Sequence, residues 1–396
     1  MTTAAPQGDV STPAASPLET VTRIASEVAR VHADSVDREG RFPVEAMEAL
    51  KRARMLGLLV PASLGGPEVP LDQVASMCEA LAHHCASTAM VFAMHHIQVA
   101  CLARHGMASP MLRAYLTELN EKQLLIASVT SEVGVGGEMR ASVTAVEQRD
   151  GRFSLDKDAT TISYGEHADD LLATARRAPD APRNDQSLVL LRKGSFTLER
   201  TSNWDTMGMR GTCSPGFKVR STGPSEHVLP VAFADIASQT MVPVSHVLWG
   251  SVWLGIAAGA VARARAFVRQ QARAKPGTVP PTASRLAEVH NLLQTMRASV
   301  HEVSAEAGRR MAASDPEALS SISFSLKMNN LKVSASTLVA DIVHRALLIC
   351  GIQGYKNDSP FSLGRYLRDA HSAALMIGND RILATNASLL LVLKED

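Results

Sequence analysis

The interval at which apolar residues recur changes twice along this 396-residue chain, which rules out both an all-helical and an all-strand fold. From Leu18 to about Leu125 apolar residues fall at intervals of three and four. They do so through ETVTRIASEVARVHADSVDREG, then PVEAMEALKRARMLGLL, then a long stretch from Leu71 to His105. Pro43 fits the first turn of its helix, and Gly57 and the Gly65-Gly66 pair punctuate helix ends. From Leu125 to about Ile236 the interval falls to two. ASVTAVEQ, GRFSLDKD, DDLLATARR, QSLVLLRK, SFTLER and GFKVRS read as short strands, with RAPDAPRNDQ as an exposed hairpin tip. From Met241 onward the helical interval returns in four stretches: 245–274, one from Thr282, one from Ile322 and a tail from Leu367. In the second, Leu286, Val289, Leu293, Met296, Val300 and Val303 keep one apolar stripe. The expected class is α+β: a disordered tail over 1–17, an N-terminal α-helical domain over 18–125, a central β-barrel or sandwich over 126–240, and a C-terminal four-helix bundle over 241–396.

At 46% hydrophobic and 20% charged, the chain has enough apolar material for two or three such cores. Its 40 basic and 39 acidic residues leave a net charge of +1, so nothing global draws it to nucleic acid or an anionic membrane. Any anionic ligand must be held locally. Five scattered cysteines without a C-x-x-C pair indicate neither a disulfide framework nor a metal site, and fit a reducing cytoplasm. The opening MTTAAPQGDVSTPAASP lacks the basic and apolar regions of a signal peptide, so the expected location is cytoplasmic. The longest apolar run, Val247 to Ala262, is short of the ~18 residues of a spanning helix and reads as a buried core helix. Gly255 and Gly259, one turn apart on it, would let another helix approach closely.

SEVGVGGEMR, residues 131–140, carries glycines at 134, 136 and 137. Its spacing is not G-x-G-x-x-G, and no lysine follows as a phosphate-binding P-loop requires. Its companions give it meaning. GRFPVEAMEALKRARMLGLLVPASLGG, SVTSEVGVGGEMR, ATTISYGEHADD, WDTMGMRGTCSPGF and CGIQGY…RYLRDAH occur in that order. Together they resemble the acyl-CoA dehydrogenase superfamily over nearly the whole chain: its N-terminal "GL…P…GG" turn, its "TE-x-G-x-G-S" flavin loop, then "WITNG…AD", "GMRGT-x-S" and "GG-x-G…RDA".

The resemblance implies a flavin, FAD or alternatively FMN, between the β region and the bundle. It places Ser131 where a threonine bonds the flavin ring, with Gly134, Gly136 and Gly137 bringing main-chain amides close to the pyrophosphate. Thr161 stands where a tryptophan commonly covers the ring, and Ser163 where a threonine bonds near N5. Trp204 and Arg210 resemble a substrate-facing, domain-joining loop. On the adenine side the family's "R-x-x-F-G" becomes Arg273-Ala274-Lys275-Pro276-Gly277, and its "Q-x-x-G-G" becomes Leu348-Ile349-Cys350-Gly351-Ile352. Arg273 and Gly351 are what remains there.

The family reaction takes an α-proton with a carboxylate while hydride leaves the β-carbon. Here the usual base position holds Ile377, and the alternative on the first bundle helix holds Val252. Asp380 is the nearest substitute, although an acid in the first turn of a helix that Asn379 caps also has a purely structural use. These losses resemble the monooxygenase branch, in which reduced flavin meets oxygen in a dry pocket and hydroxyls or imidazoles serve as donors. His95-His96 supply candidates, of which at most one, taken as His96, can face a pocket, because neighbours on a helix point about 100° apart. A metal site with His83-His84 is geometrically poor, and His371 reads as structural or interfacial.

Three functions follow as expectations. The first is oxidation of an acyl thioester, possibly CoA-borne, with electrons passing to an electron-transferring flavoprotein. The second is oxygen insertion with a flavin reductase as partner, and the third a catalytically silent flavin-binding scaffold. A homotetramer is expected in each case, with no metal, nucleic acid or membrane partner.

Overall fold

The computed structural model describes residues 15–394, so most of the tail expected over 1–17 lies outside the described residues. Helix α1 (Pro17–Ile24) starts on a reciprocal cap: Ser16 N–H donates to Glu19, and Glu19 N–H donates to Ser16 Oγ. It runs through a π-helical turn, Ala25–Ala29, into α2 (Arg30–Glu39), which Gly40 ends in a left-handed conformation. Then come α3 (Val44–Arg52), α4 (Leu71–Ala82), α5 (Ala86–His105) and α6 (Pro110–Lys122). Pro43 stands just outside α3 as its cap.

The central region forms two sheets. β1 (Ile126–Val129) pairs in parallel with β4 (Asp170–Arg176), which pairs antiparallel with β5 (Gln186–Leu191). The other sheet, β2 (Glu147–Arg149), β3 (Arg152–Ala159), β7 (Phe217–Pro224) and β6 (Phe196–Arg200), is antiparallel throughout. β3 and β7 alternate buried and exposed residues as a sheet with one wet face must. β4 and β5 are buried on both faces, and 177–185 forms the turn between them. Two details differ from the sequence reading. ASVTAVEQ is strand only from Glu147, because the Val143 and Thr144 N–H groups donate to the Glu132 carboxylate instead of a neighbouring strand. The segment that became β1 has no alternation to betray it, being buried along almost its whole length.

The C-terminal helices follow: α7 (Phe233–Ile236), α8 (Val242–Ala274), α9 (Ala283–Ala313), α10 (Pro316–Ser320), α11 (Ile322–Cys350), α12 (Ile352–Tyr355), α13 (Gly364–His371) and α14 (Asn379–Leu390). The tail expected from Leu367 is therefore two helices separated by a turn over 372–378. Helix α8 lies along α4, and the two glycines do there what their spacing suggested. A Cβ on Gly255 would stand 2.3 Å from the Glu79 carbonyl oxygen, and one on Gly259 2.5 Å from that of His83. By length and composition three helical stretches among the described residues could cross a membrane, including the continuous 233–274, but 94% of that stretch's apolar window is buried within the fold.

Candidate functional site

The chain leaving β1 is fixed before it reaches the glycines. Ser131 Oγ donates to the Thr161 carbonyl at 2.6 Å and accepts from the Thr161 N–H at 3.0 Å, tying the end of β1 to the segment after β3. Its proton is thus committed to the protein. Glu132 is wholly buried beside the equally buried Lys157, with Nζ 3.1 Å from Oε2. Burial opposes ionisation of Glu132, but the Lys157 ammonium and the donors on Ser142 and Thr144 outweigh it and hold the carboxyl below its usual range. Gly134, Gly136 and Gly137 then take positive φ values of 87°, 59° and 78°. Among the described residues, the N–H groups of Val135, Gly136 and Gly137 donate to no protein acceptor.

Opposite this loop, Ser163 Oγ accepts a hydrogen bond of 2.8 Å from Ser214 Oγ, which leaves the Ser163 proton free. Behind it, Thr212 Oγ1 donates to the Met209 carbonyl. The loop 207–212 is wedged between distant elements. Met209 N–H donates to Asp369 at 2.7 Å, Arg210 Nε donates to the Asp37 carbonyl, and Arg368 pairs with the Asp37 carboxylate while donating to the Met207 carbonyl. A Cβ on Gly208 would stand 2.2 Å from the Arg368 carbonyl oxygen, so only glycine fits. Burial raises the Asp369 carboxyl to about 6.

These segments enclose a cavity of about 890 Å³. Ser131, Gly136, Gly137, Thr161 and Ser163 form one wall. The turn 372–378 with Asp380 and Arg381 forms another, and α5 and α8 close the third. Arg381 reaches across the rim and donates to the Gly136 carbonyl at 2.7 Å. Two carboxylates, Glu138 and Asp380, border the cavity, and both are solvent-exposed. Ile377 borders it too, in a left-handed conformation (φ 55°) unusual for a β-branched residue. Its carbonyl accepts 2.7 Å from Lys332 Nζ, which also donates to Asn379 Oδ1. Gly378, not Asn379, occupies the N-cap of α14, because the Asn379 side chain serves Lys332.

Several candidates lie elsewhere. His96 is fully buried outside the cavity, its Nδ1 against the Phe92 carbonyl and its ring on Phe92, so the imidazole proposed as a donor does not reach the site. His95 is structural as well: Nδ1 accepts from Ile126 N–H, leaving Nε2 to donate to the Leu56 carbonyl. Burial drives both histidines well toward neutrality. Gly134 is in the loop but not on the cavity wall, and Val252 is sealed inside α8. Arg273 in the last turn of α8 and Gly351 after α11 are exposed and outside the cavity. Trp204 and His371 border it. Sequence reasoning missed Gln98 and Trp249 on the α5 and α8 wall. A lone amide within the apolar run IQVACLA was the available signal. A second cavity, about 570 Å³ among α1, α4, α8 and α9, carries none of the motifs. Among the described residues no group of three or more His, Cys, Asp or Glu is placed to hold a metal ion.

The profile described as "Acyl-CoA dehydrogenase, N-terminal domain" matches residues 16–123, and "Acyl-CoA dehydrogenase, C-terminal domain" matches 237–388. Cyclohex-1-ene-1-carbonyl-CoA dehydrogenase of Syntrophus aciditrophicus (strain SB) is 25% identical over 381 residues, covering 94% of this chain and 89% of its own. Solved structures share the fold, two of them as follows. FMN-bound TdsC of Paenibacillus sp. A11-2, a dibenzothiophene monooxygenase, superposes with a TM-score of 0.82 at 19% identity, over 96% of this chain and 98% of its own. Butyryl-CoA dehydrogenase of Megasphaera elsdenii does so with 0.81 at 19%, over 95% and 97%. With both terminal profiles matched in order around a central sheet region, the chain belongs to the acyl-CoA dehydrogenase superfamily.

Proposed function

We propose that the protein is a flavin-dependent oxidoreductase that oxidises an acyl thioester between Cα and Cβ. One observation carries the reading: unspent main-chain donors at Gly136 and Gly137, the free Ser163 hydroxyl and the Asp380 carboxylate all border one cavity. Its volume lies within the ~300–1,000 Å³ usual for cofactor and ligand pockets. Flavin, as FAD or alternatively FMN, supplies the acceptor for the hydride that leaves the substrate. The N–H groups of Gly136 and Gly137 would meet its anionic part, with Thr161 and Ser163 along the ring. The Ser131 hydroxyl, already bonded to Thr161, would orient that wall rather than donate to the ring. Asp380 would take the α-proton, and Ser163 would hold the ring's edge. Arg273 and Gly351, outside the cavity, could serve only a cofactor that extends beyond it.

Oxygen insertion is the second reading. What favours it is that Ile377 borders the cavity with no proton acceptor of its own and Val252 is buried away from it. The electron partner would be an electron-transferring flavoprotein in the first reading and a flavin reductase in the second. We further infer a cytoplasmic homotetramer, supported by five free cysteines and by exposed Leu348, Ile352 and Tyr355 around the end of α11.

The test is to identify the flavin released from purified protein, then mix the loaded protein anaerobically with acyl-CoA and follow flavin bleaching. Bleaching supports dehydrogenation. Absence of bleaching, together with tight binding of reduced FMN and oxygen consumption, moves the assignment to the oxygenase. Absence of any flavin leaves the silent scaffold.

A further inference from the structure

The rim of the cavity gathers more hydrogen-bond donors than the protein itself uses. Gly136 and Gly137 are exposed, with their N–H groups unspent among the described residues, and Arg381, also exposed, reaches them from the first turn of α14. One terminal guanidinium nitrogen donates to the Gly136 carbonyl at 2.7 Å. The other stands 3.4 Å from where a Cβ on Gly137 would be, so the missing side chain leaves the guanidinium room beside the loop. That single bond leaves most of the guanidinium N–H groups available. Among the described residues Arg381 makes no ion pair, although Asp380 precedes it and Glu138 follows Gly137, and both border the cavity. The other arginine there, Arg368, is spent on the Asp37 carboxylate.

We propose that Arg381 is a phosphate-binding residue, which with the Gly136 and Gly137 N–H groups forms a clamp for the phosphate that ends the ribityl chain of the flavin, common to FMN and FAD. A planar guanidinium matches phosphate oxygens two at a time, and main-chain amides on successive residues can converge on one anion. The amides alone would face adverse charge, because Glu138 and Asp380 are exposed on the same rim. Arg381 offsets them. It lies outside all five ordered motifs, so the resemblance assigns it no role. Coenzyme A is a second source of phosphate esters. The flavin is favoured because Arg381 is tied to the loop that shares a cavity wall with Thr161 and Ser163, which would run along the ring. This inference rests on the flavin-binding part of the reading above and is independent of which reaction the flavin serves.

The experiment titrates the purified full-length protein, stripped of flavin, with riboflavin, FMN, FAD and coenzyme A, and repeats this on Arg381→Gln and Arg381→Lys. Fluorescence follows the flavins, heat follows coenzyme A, and thermal unfolding confirms that the variants fold. Riboflavin carries the ring and ribityl chain without phosphate, so it reports the rest of the site. Arg381→Gln is expected to weaken FMN and FAD by roughly ten- to hundredfold, the range of charge-assisted hydrogen bonds, and to leave riboflavin within about twofold. It should also flatten the salt dependence of FMN binding. Arg381→Lys, which keeps the charge without the fork, should fall between. Unchanged FMN affinity in Arg381→Gln overturns the proposal. So does an equal loss for riboflavin, which would reduce the arginine to a tie between loop and helix, and so does a loss confined to coenzyme A. The two readings fail separately. Riboflavin and FMN binding equally well, whatever stands at 381, keeps the flavin and removes this inference; no flavin bound by the wild type removes both.

Discussion

Glu132 sits inside the glycine loop that faces the cavity, yet its side chain turns away into the sheet and holds the loop's base in place. Its oxygens take Lys157 Nζ, Ser142 Oγ and two main-chain N–H groups, and Lys157 in turn donates to the Thr174 carbonyl at 2.7 Å. Removing one partner of a buried ion pair strands the other charge, which typically costs about 3–5 kcal/mol. Glu132→Gln is therefore expected to lower unfolding stability by an amount of that order in urea denaturation; a loss under ~1 kcal/mol would show that Lys157 has another counter-ion. Across the cavity, Ser163 and Asp380 carry separable roles. Ser163→Ala should weaken flavin binding by about tenfold, one hydrogen bond's worth, in a fluorescence titration. Asp380→Asn should leave that affinity alone and slow anaerobic bleaching by ~100-fold or more, the range lost with a general base. Bleaching unaffected by Asp380→Asn would remove that carboxylate from the chemistry.

Helix α8 is largely apolar as far as Ala262, and its contacts are decided by where it lacks side chains. A methyl at Gly255 would collide with the backbone of α4, whereas one at Gly250 meets nothing nearer than 3.7 Å, from Leu331. Gly255→Ala should therefore destabilise by about 1–3 kcal/mol. Gly250→Ala should stabilise by roughly 0.5–1 kcal/mol through helix propensity, and thermal unfolding of the pair distinguishes the two cases. The turn between α13 and α14 depends instead on Lys332, whose burial pushes it down to about 8. Between that value and the ~10.4 of a free lysine, the folded state binds fewer protons than the unfolded one. Wild type should gain stability relative to Lys332→Met as pH rises from about 8 to about 10, and lose the gain as pH falls back through 8. Denaturation midpoints across that range check the sign, and a flat difference would contradict it. Elements with their own periodicity, such as α9 and β3, were legible in the sequence. β1 and the turn 372–378 were not, because complete burial erases alternation in the first and a lysine 45 residues away holds the second.

The cavity belongs to the whole molecule, since its walls come from α5, the sheets, α8 and the α13–α14 turn, and Asp37 on α2 anchors the loop between them. Ordered motifs made the wall of Ser131, Gly136, Gly137 and Ser163 legible in the sequence. Nothing in them told that His96 would face inward while Gln98, two residues on, faced the cavity, because that depends on how α5 is rotated against neighbours far away in the chain. The same logic extends past the single chain. The apolar windows of α5 and α8 are 89% and 94% buried, but that of α11 is only 44% buried. Leu348, Ile352 and Tyr355, exposed by 54%, 67% and 75%, cluster where α11 ends, with Gly351 among them. These are the apolar side chains that the proposed assembly would cover. Sedimentation at micromolar concentration should give an oligomer, and Leu348→Asp combined with Tyr355→Asp should shift it toward smaller species. Because Gly351 lies within that patch, dissociation should also lower the flavin retained after dialysis. A wild-type monomer that keeps its full flavin would separate cofactor binding from assembly and leave the exposed face of α11 without this role.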